Sequence, residues 1–406
     1  MVFKHKAYKI FIGASLFLGL LSRSAMARPE YALRVGNNRC TSCHYSPAGG
    51  GPRNLEGKYF GANGKPLTPF SAQGYAGADI KMLYYGPEKH TESRGGMGVI
   101  AINLYASLPL TVQEASAAEY RIVAEHNLGG YGGGGPRQLY LRYQSADAPL
   151  GTSWRPQHFV LGRLIVPFGL MTDEHRTYVR LQTGTPWNTG FDMGAMISAN
   201  PYESLHYDLA FLNGQKNNGQ APAADQATLW GSVGNLRWMP QARPFLLGTS
   251  ASYYEAEIHK DPPVALSAYG VLSFHRLTNN KFPASLLFEY AHADNWNNAT
   301  LTNQMVTSTT YATALAETSS EGVLAQLNWD YSSAWTYTYK YDRFVPDVQF
   351  NSDNYQRHGL GVRHNFLPNG WFMVRFEKAV ATATSEKNGS KMGSLDAVFA
   401  ILSLGI

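Results

Sequence analysis

Trp335-Thr336-Tyr337-Thr338-Tyr339-Lys340-Tyr341-Asp342 places a large aromatic at every odd position and a polar residue at every even one. A repeat of two is that of an extended strand, whose successive side chains leave opposite faces. The pattern recurs on both sides of this stretch. In Ser285–His292, Leu286, Phe288, Tyr290 and His292 share a face and Glu289 lies on the other. Val323, Ala325, Leu327, Trp329 and Tyr331 line up against Gln326, Asn328 and Asp330, and the chain closes with Val398, Ala400, Leu402, Leu404 and Ile406 in one row. Turn-forming runs separate the strands: Met239-Pro240-Gln241-Ala242-Arg243-Pro244, Thr278-Asn279-Asn280-Lys281 and Leu367-Pro368-Asn369-Gly370.

From residue 75 to residue 406 this alternation predicts roughly 16 strands, at ~20 residues per strand and loop. Helical periodicity is absent after the amino-terminal leader. Two all-β architectures compete. A soluble sandwich turns an aliphatic face inward and a charge-rich face outward. Here the polar face is instead rich in Thr, Asn, Gln and Gly, and Tyr, Trp and Phe crowd the strand ends, where the interfacial girdles of a membrane barrel lie. The expected fold is therefore all-β, an antiparallel transmembrane barrel of about 16 strands, which has no open edge to expose to lipid.

The first 27 residues have the parts of a secretory signal: Lys4, Lys6 and Lys9, an apolar run from Ile10 to Leu21, and Ala25-Met26-Ala27 as a cleavage pattern. The apolar run is too short to span a bilayer. Export to an outer membrane, with cleavage after Ala27, is the expected localisation. The whole chain has 34 Lys+Arg against 29 Asp+Glu, a net charge of +5. Lys4, Lys6, Lys9 and Arg23 belong to the leader, which leaves 30 against 29 beyond it. A nearly neutral protein does not suit a nucleic-acid partner.

Cys40-Thr41-Ser42-Cys43-His44 contains the only two cysteines of the 406 residues, in the C-x-x-C-H form of a c-type haem attachment site. The two thiols would add to the haem vinyl groups and His44 would bind the iron. A redox dithiol would want a βαβ context, and a structural zinc site a second ligand pair; neither accompanies the motif. One covalent haem c, on Cys40, Cys43 and His44, is the expected cofactor. Met82, His90, Met97, His126, His158 and His175 are candidates for the sixth ligand. The Gly-rich run Ser46–Pro52 lacks the Gly-Lys-Ser/Thr ending of a phosphate loop and reads as tight turns. Residues 28–74, too short and too poor in apolar side chains to fold readily alone, form the expected haem segment. It either plugs the barrel of residues 75–406 or hangs from it on a linker.

A leader, one C-x-x-C-H near the start of the exported chain and a porin-sized barrel together resemble the fused outer-membrane monohaem cytochrome–porins, which include iron-oxidising cytochromes. Tyr31-Ala32-Leu33-Arg34 ahead of the motif is similar to the lead-in of that family. The resemblance implies that Cys40 and Cys43 are the thioethers and His44 the proximal ligand. It also implies electron transfer across the outer membrane, from an extracellular donor such as ferrous iron to a periplasmic c-type cytochrome or another carrier. The Gly-rich run after His44 is closer to relatives whose donor is unassigned. Arg163 followed by Val166-Pro167-Phe168-Gly169 resembles a segment of bacterial porins, in many of which the long loop through Asp173-Glu174-His175-Arg176 to Asn188 folds into the lumen; a plain surface loop is the other reading.

Three functions remain in view: electron transfer, a diffusion porin in which the haem segment is a plug and Arg121, Arg142, Arg163 and Arg180 tune anion passage, and a haem enzyme. The last would need a distal acid/base pair, and none announces itself.

Overall fold

The computed structural model describes residues 76–87, 96–110, 118–130, 134–146, 152–172, 177–183, 190–213, 228–240, 243–256, 262–279, 281–296, 319–332, 334–345, 348, 354–367, 370–381 and 395–405. The expected leader (1–27), the expected haem segment or plug (28–74), and Cys40, Cys43, His44, His90 and His175 lie outside these residues.

Sixteen strands follow one another: β1 (Ala76–Pro87), β2 (Gly96–Pro109), β3 (Glu119–Asn127), β4 (Gly135–Gln144), β5 (His158–Ile165), β6 (Phe191–Tyr202), β7 (Leu205–Leu212), β8 (Thr228–Trp238), β9 (Phe245–Ala256), β10 (Val264–Ser273), β11 (Ala284–Asp294), β12 (Ser320–Asp330), β13 (Trp335–Val345), β14 (Tyr355–Leu367), β15 (Gly370–Ala381) and β16 (Leu395–Gly405). Each pairs antiparallel with its neighbours in sequence. The ring closes where β1 meets β16, from Asp79 opposite Gly405 to Pro87 opposite Ala397. Among the described residues, two short helices interrupt the pattern, α1 (Tyr178–Gln182) and α2 (Phe274–Leu277). Both are too short to show a helical period in sequence.

The alternation of residues 335–342 appears here as two faces. Trp335, Tyr337 and Tyr339 stand on the outer face, each about 40% exposed, while Thr336, Lys340 and Asp342 are buried on the inner one. Leu286 and Phe288 of β11, and Leu327 and Trp329 of β12, are likewise outside, with Leu287, Glu289, Gln326 and Asn328 inside. An apolar exposed face around a polar enclosed one inverts the soluble sandwich and matches a barrel solvated by lipid. Aromatic pairs crowd one rim of the outer face: Trp238–Phe245 at 5.5 Å between ring centres, Trp329–Tyr337 at 5.6 Å and Trp335 stacked on His364 at 4.1 Å.

That rim carries the short connections, including the two-residue turns 203–204 and 368–369, and both ends of the barrel chain. The opposite rim carries the long ones, such as 166–190 and 295–319. In bacterial barrels short turns lie on the periplasmic side and long loops outside.

Candidate functional site

The bore is where function concentrates, because one long connection enters it. After β5 the chain does not stay above the rim. Val166 and Phe168 join a buried cluster on the inner wall with Leu164, Met196, Val233 and Tyr254, and Phe168 is 0% exposed. Leu170 packs further round, with Leu246, Tyr269, Val271 and Leu287. Apolar side chains at alternate positions thus draw a strand-like stretch against the inside of the wall, where each would otherwise face the bore's polar surroundings.

Polar contacts fix its path. Gly169 N donates to Ser250 Oγ of β9 (2.8 Å) and Leu170 N to Glu289 Oε1 of β11 (3.1 Å). α1 then lies against β11, β12 and β13. Its Arg180 donates through Nη1 to the Phe168 carbonyl and through Nη2 to the Leu170 carbonyl, and Nη2 also lies 3.3 Å from Glu289 Oε2. Ser267 Oγ donates to Glu289 Oε1 at 2.9 Å, so this wholly buried carboxylate has a cation, a hydroxyl and a backbone N–H around it. Gln182 Nε2 donates to the Ala291 carbonyl (3.1 Å), Tyr178 N points to Asp342 Oδ1 (3.4 Å), and the Arg357 guanidinium sits 4.4 Å above the Tyr178 ring. The segment therefore runs from β5 to the inner faces of β9 and β11–β13, and narrows the bore at about half height.

The remaining inner wall is charged. On β13–β15, Lys340 Nζ lies 3.3 Å from Asp342 and 3.4 Å from Glu377, Arg375 Nε lies 2.9 Å from Glu377, and Arg357 pairs with Asp342. On β3–β4, Glu119 accepts from Arg121 and Arg142, each at 2.6 Å, and Arg137 faces Glu125 at 3.7 Å. The β3–β4 arc holds three cations and two acids, and the β13–β15 arc, with the buried Arg363 of β14, four cations and two acids. At the short-turn end of β6–β8, Asp208 gathers Ser198 Oγ (2.6 Å), His206 Nε2 (2.9 Å) and Arg237 Nη2 (3.2 Å).

The sequence expectations divide here. Arg121, Arg142 and Arg180 do face the bore. Arg163 does not: it stands on the outer face between Leu139 and Met193 in register, near the long-loop rim, with Nε donating to the Arg137 carbonyl at 3.1 Å. Its long stem lies along apolar surface while its head reaches the rim's polar backbone. Three of the described sixth-ligand candidates also face outward. Met82 shares the outer row of Ile80 with Leu402, Met97 is 70% exposed, and His126 stands opposite Leu104. Only His158, 1% exposed at the short-turn end of β5, turns inward among them. Glu289, Ser250 and the Lys340–Asp342–Glu377 group were not singled out from sequence as functional. A lone acid between Leu287 and Ala291 on the inner row of β11 was the one available signal.

No family model matches the chain, and no curated protein matches it in sequence. Its structure is similar to solved structures of barrel channels. The outer membrane channel DcaP of Acinetobacter baumannii superposes with a TM-score of 0.57 at 8% identity, covering 84% of this chain and 100% of the other. Salmonella typhi OmpF in complex with daunomycin gives 0.56 at 9% identity over 82% of this chain and 97% of the other. Pseudomonas putida OprB gives 0.53 at 9% identity over 82% and 94%. The chain thus has the porin-type fold, a closed barrel of 16 antiparallel strands. Within that fold, the described residues add a bore narrowed by an inward-folded segment.

Proposed function

We propose that this protein is an outer-membrane diffusion channel narrowed at mid-height by residues 166–172 and 177–183. The carrying observation is the clasp of Arg180 and Glu289, which holds that segment against the far wall together with the Gly169 and Leu170 backbone bonds. Side chains of both signs line a wet passage for small polar solutes, and the cation surplus on each charged arc favours anions. In planar bilayers the purified protein should give discrete conductance steps, with a reversal potential displaced toward the anion in a potassium chloride gradient. Arg180→Ala should enlarge the steps. A protein that inserts but does not conduct would refute the channel.

A second reading rests on Cys40, Cys43 and His44: a haem c attached to the exported chain, carrying single electrons between an extracellular donor, ferrous iron among the candidates, and a periplasmic carrier. Supporting it from the barrel, His158 faces the bore at the end from which β1 starts. When bound, the haem would supply one-electron redox chemistry that no side chain offers. The barrel residues would exclude bulk water and solute around it. A pyridine haemochrome spectrum of the purified protein tests whether the haem is attached.

A further inference from the structure

The connection between β10 and β11 differs from the tight turns beside it. α2 and the described residues after it, 278, 279 and 281–283, take the place of a two-residue turn. Thr278 Oγ1 donates to the Phe274 carbonyl (2.7 Å) and accepts from Phe282 N (2.9 Å), which holds the loop in one shape. Phe274 and Phe282 extend the outward rows of β10 and β11, beyond the outward pair Leu272 and Leu286, and their rings meet edge to face at 5.9 Å. Phe282 and Leu277 are 45% and 58% exposed.

Cations accompany these apolar side chains. Arg276 Nη1 donates to the Arg243 carbonyl of the neighbouring β8–β9 turn at 3.3 Å, and Lys281 lies on the same loop. Residues 239–244 and 274–283 contain no Asp or Glu. On the flanking connections of the same rim the acids are Glu203, between β6 and β7, and Asp330, at the end of β12. Asp330 is on the inward row and accepts from Thr336 Oγ1 at 2.6 Å. None of Arg243, Arg276 and Lys281 pairs with an acid among the described residues.

We propose that this ledge binds an anionic phospholipid of the leaflet at the short-turn rim. Arg243, Arg276 and Lys281 would hold the phosphate headgroup, with the acyl chains lying on Phe274, Phe282 and the outer faces of β10 and β11. The position supports a lipid as the ligand: the apolar rows already face lipid, the ledge continues them, and its cations stand where headgroup phosphates begin.

Native mass spectrometry of the full chain, released from detergent after titration with phosphatidylglycerol or phosphatidylethanolamine, tests this. Wild-type protein should retain phosphatidylglycerol in preference. The triple variant Arg243→Gln/Arg276→Gln/Lys281→Gln should lose that binding about a hundredfold, and the charge-keeping variant Arg243→Lys/Arg276→Lys/Lys281→Arg should retain most of it. Arg155→Gln, an exposed cation of the β4–β5 turn on the same rim, should change nothing. Heat-dependent gel mobility reports whether each variant is folded. Undiminished phosphatidylglycerol binding by the folded triple variant would overturn the proposal and leave the cations for a partner protein. Equal loss in Arg155→Gln would reduce it to bulk charge. Displacement of the lipid by equimolar inorganic phosphate would show a free-anion site and overturn it too.

Discussion

Gly169 adopts φ +65°, a left-handed conformation that costs a residue with a Cβ about 1–2 kcal/mol. Space is the second constraint, because a Cβ there would overlap Glu289 Oε1 and crowd both terminal nitrogens of Arg180. One atom added at this position therefore presses on the pair that clasps the inward-folded segment. Gly169→Ala should loosen residues 166–172 and 177–183 while leaving the strands intact, so conductance steps should grow and become noisier in bilayers at unchanged gel mobility. Arg180→Ala reaches the same end by another route: it leaves Glu289 buried without its cation and two carbonyls without a donor. Breaking a buried pair by removing one partner costs about 3–5 kcal/mol, and release of the segment is the way Glu289 can regain water. If both variants conduct as wild type does, the clasp does not set the bore.

The strands are stabilised by two solvents at once, lipid outside and the polar bore inside, and substitutions should read that difference. Phe288, mid-way along β11 on the outer face, changed to Arg should cost about 2–4 kcal/mol in denaturant unfolding from vesicles. Gln326→Lys, inward on the adjacent β12, should cost far less, since it joins Asn328 and the charged inner wall. Similar costs would mean that Phe288 does not face the hydrocarbon. This two-faced character was legible in sequence because period two is local: the rows of Leu286, Phe288 and Tyr290, or of Val323, Ala325, Leu327 and Trp329, need no knowledge of the partner strand. Which absolute face a given Met or His takes was less legible. Register shifts at Lys81/Met82 and at Glu125/His126 change how neighbouring rows line up, and Met82, Met97 and His126 all fall on the lipid side. The path of residues 166–172 and 177–183 was open for a related reason. Its deciding contacts, with Ser250, Glu289 and Asp342, come from strands far along the chain, and a one-turn helix leaves no periodic trace.

At the scale of the molecule, conduction of solute and conduction of electrons make opposite demands on one bore, the first needing water throughout and the second needing a redox group across an otherwise tight wall. The barrel itself closes by strand pairing within residues 76–405, from β1 round to β16. Its assembly is therefore expected to proceed without Cys40 or Cys43. The variant Cys40→Ser/Cys43→Ser removes both thiols that would anchor a haem, and it should still insert, keep its heat-dependent gel mobility and give conductance steps at least as large as those of wild type. It should lose any covalent haem, seen as absence of a haemochrome band and of the corresponding added mass. In vesicles with a trapped redox dye, an impermeant external reductant should reduce the dye through wild-type protein and not through the variant, if the haem carries electrons. If wild type leaks small solutes while the dye stays oxidised, the bore acts as a porin and the haem does not bridge it. If the variant reduces the dye as fast as wild type, the electrons take a route independent of Cys40, Cys43 and His44.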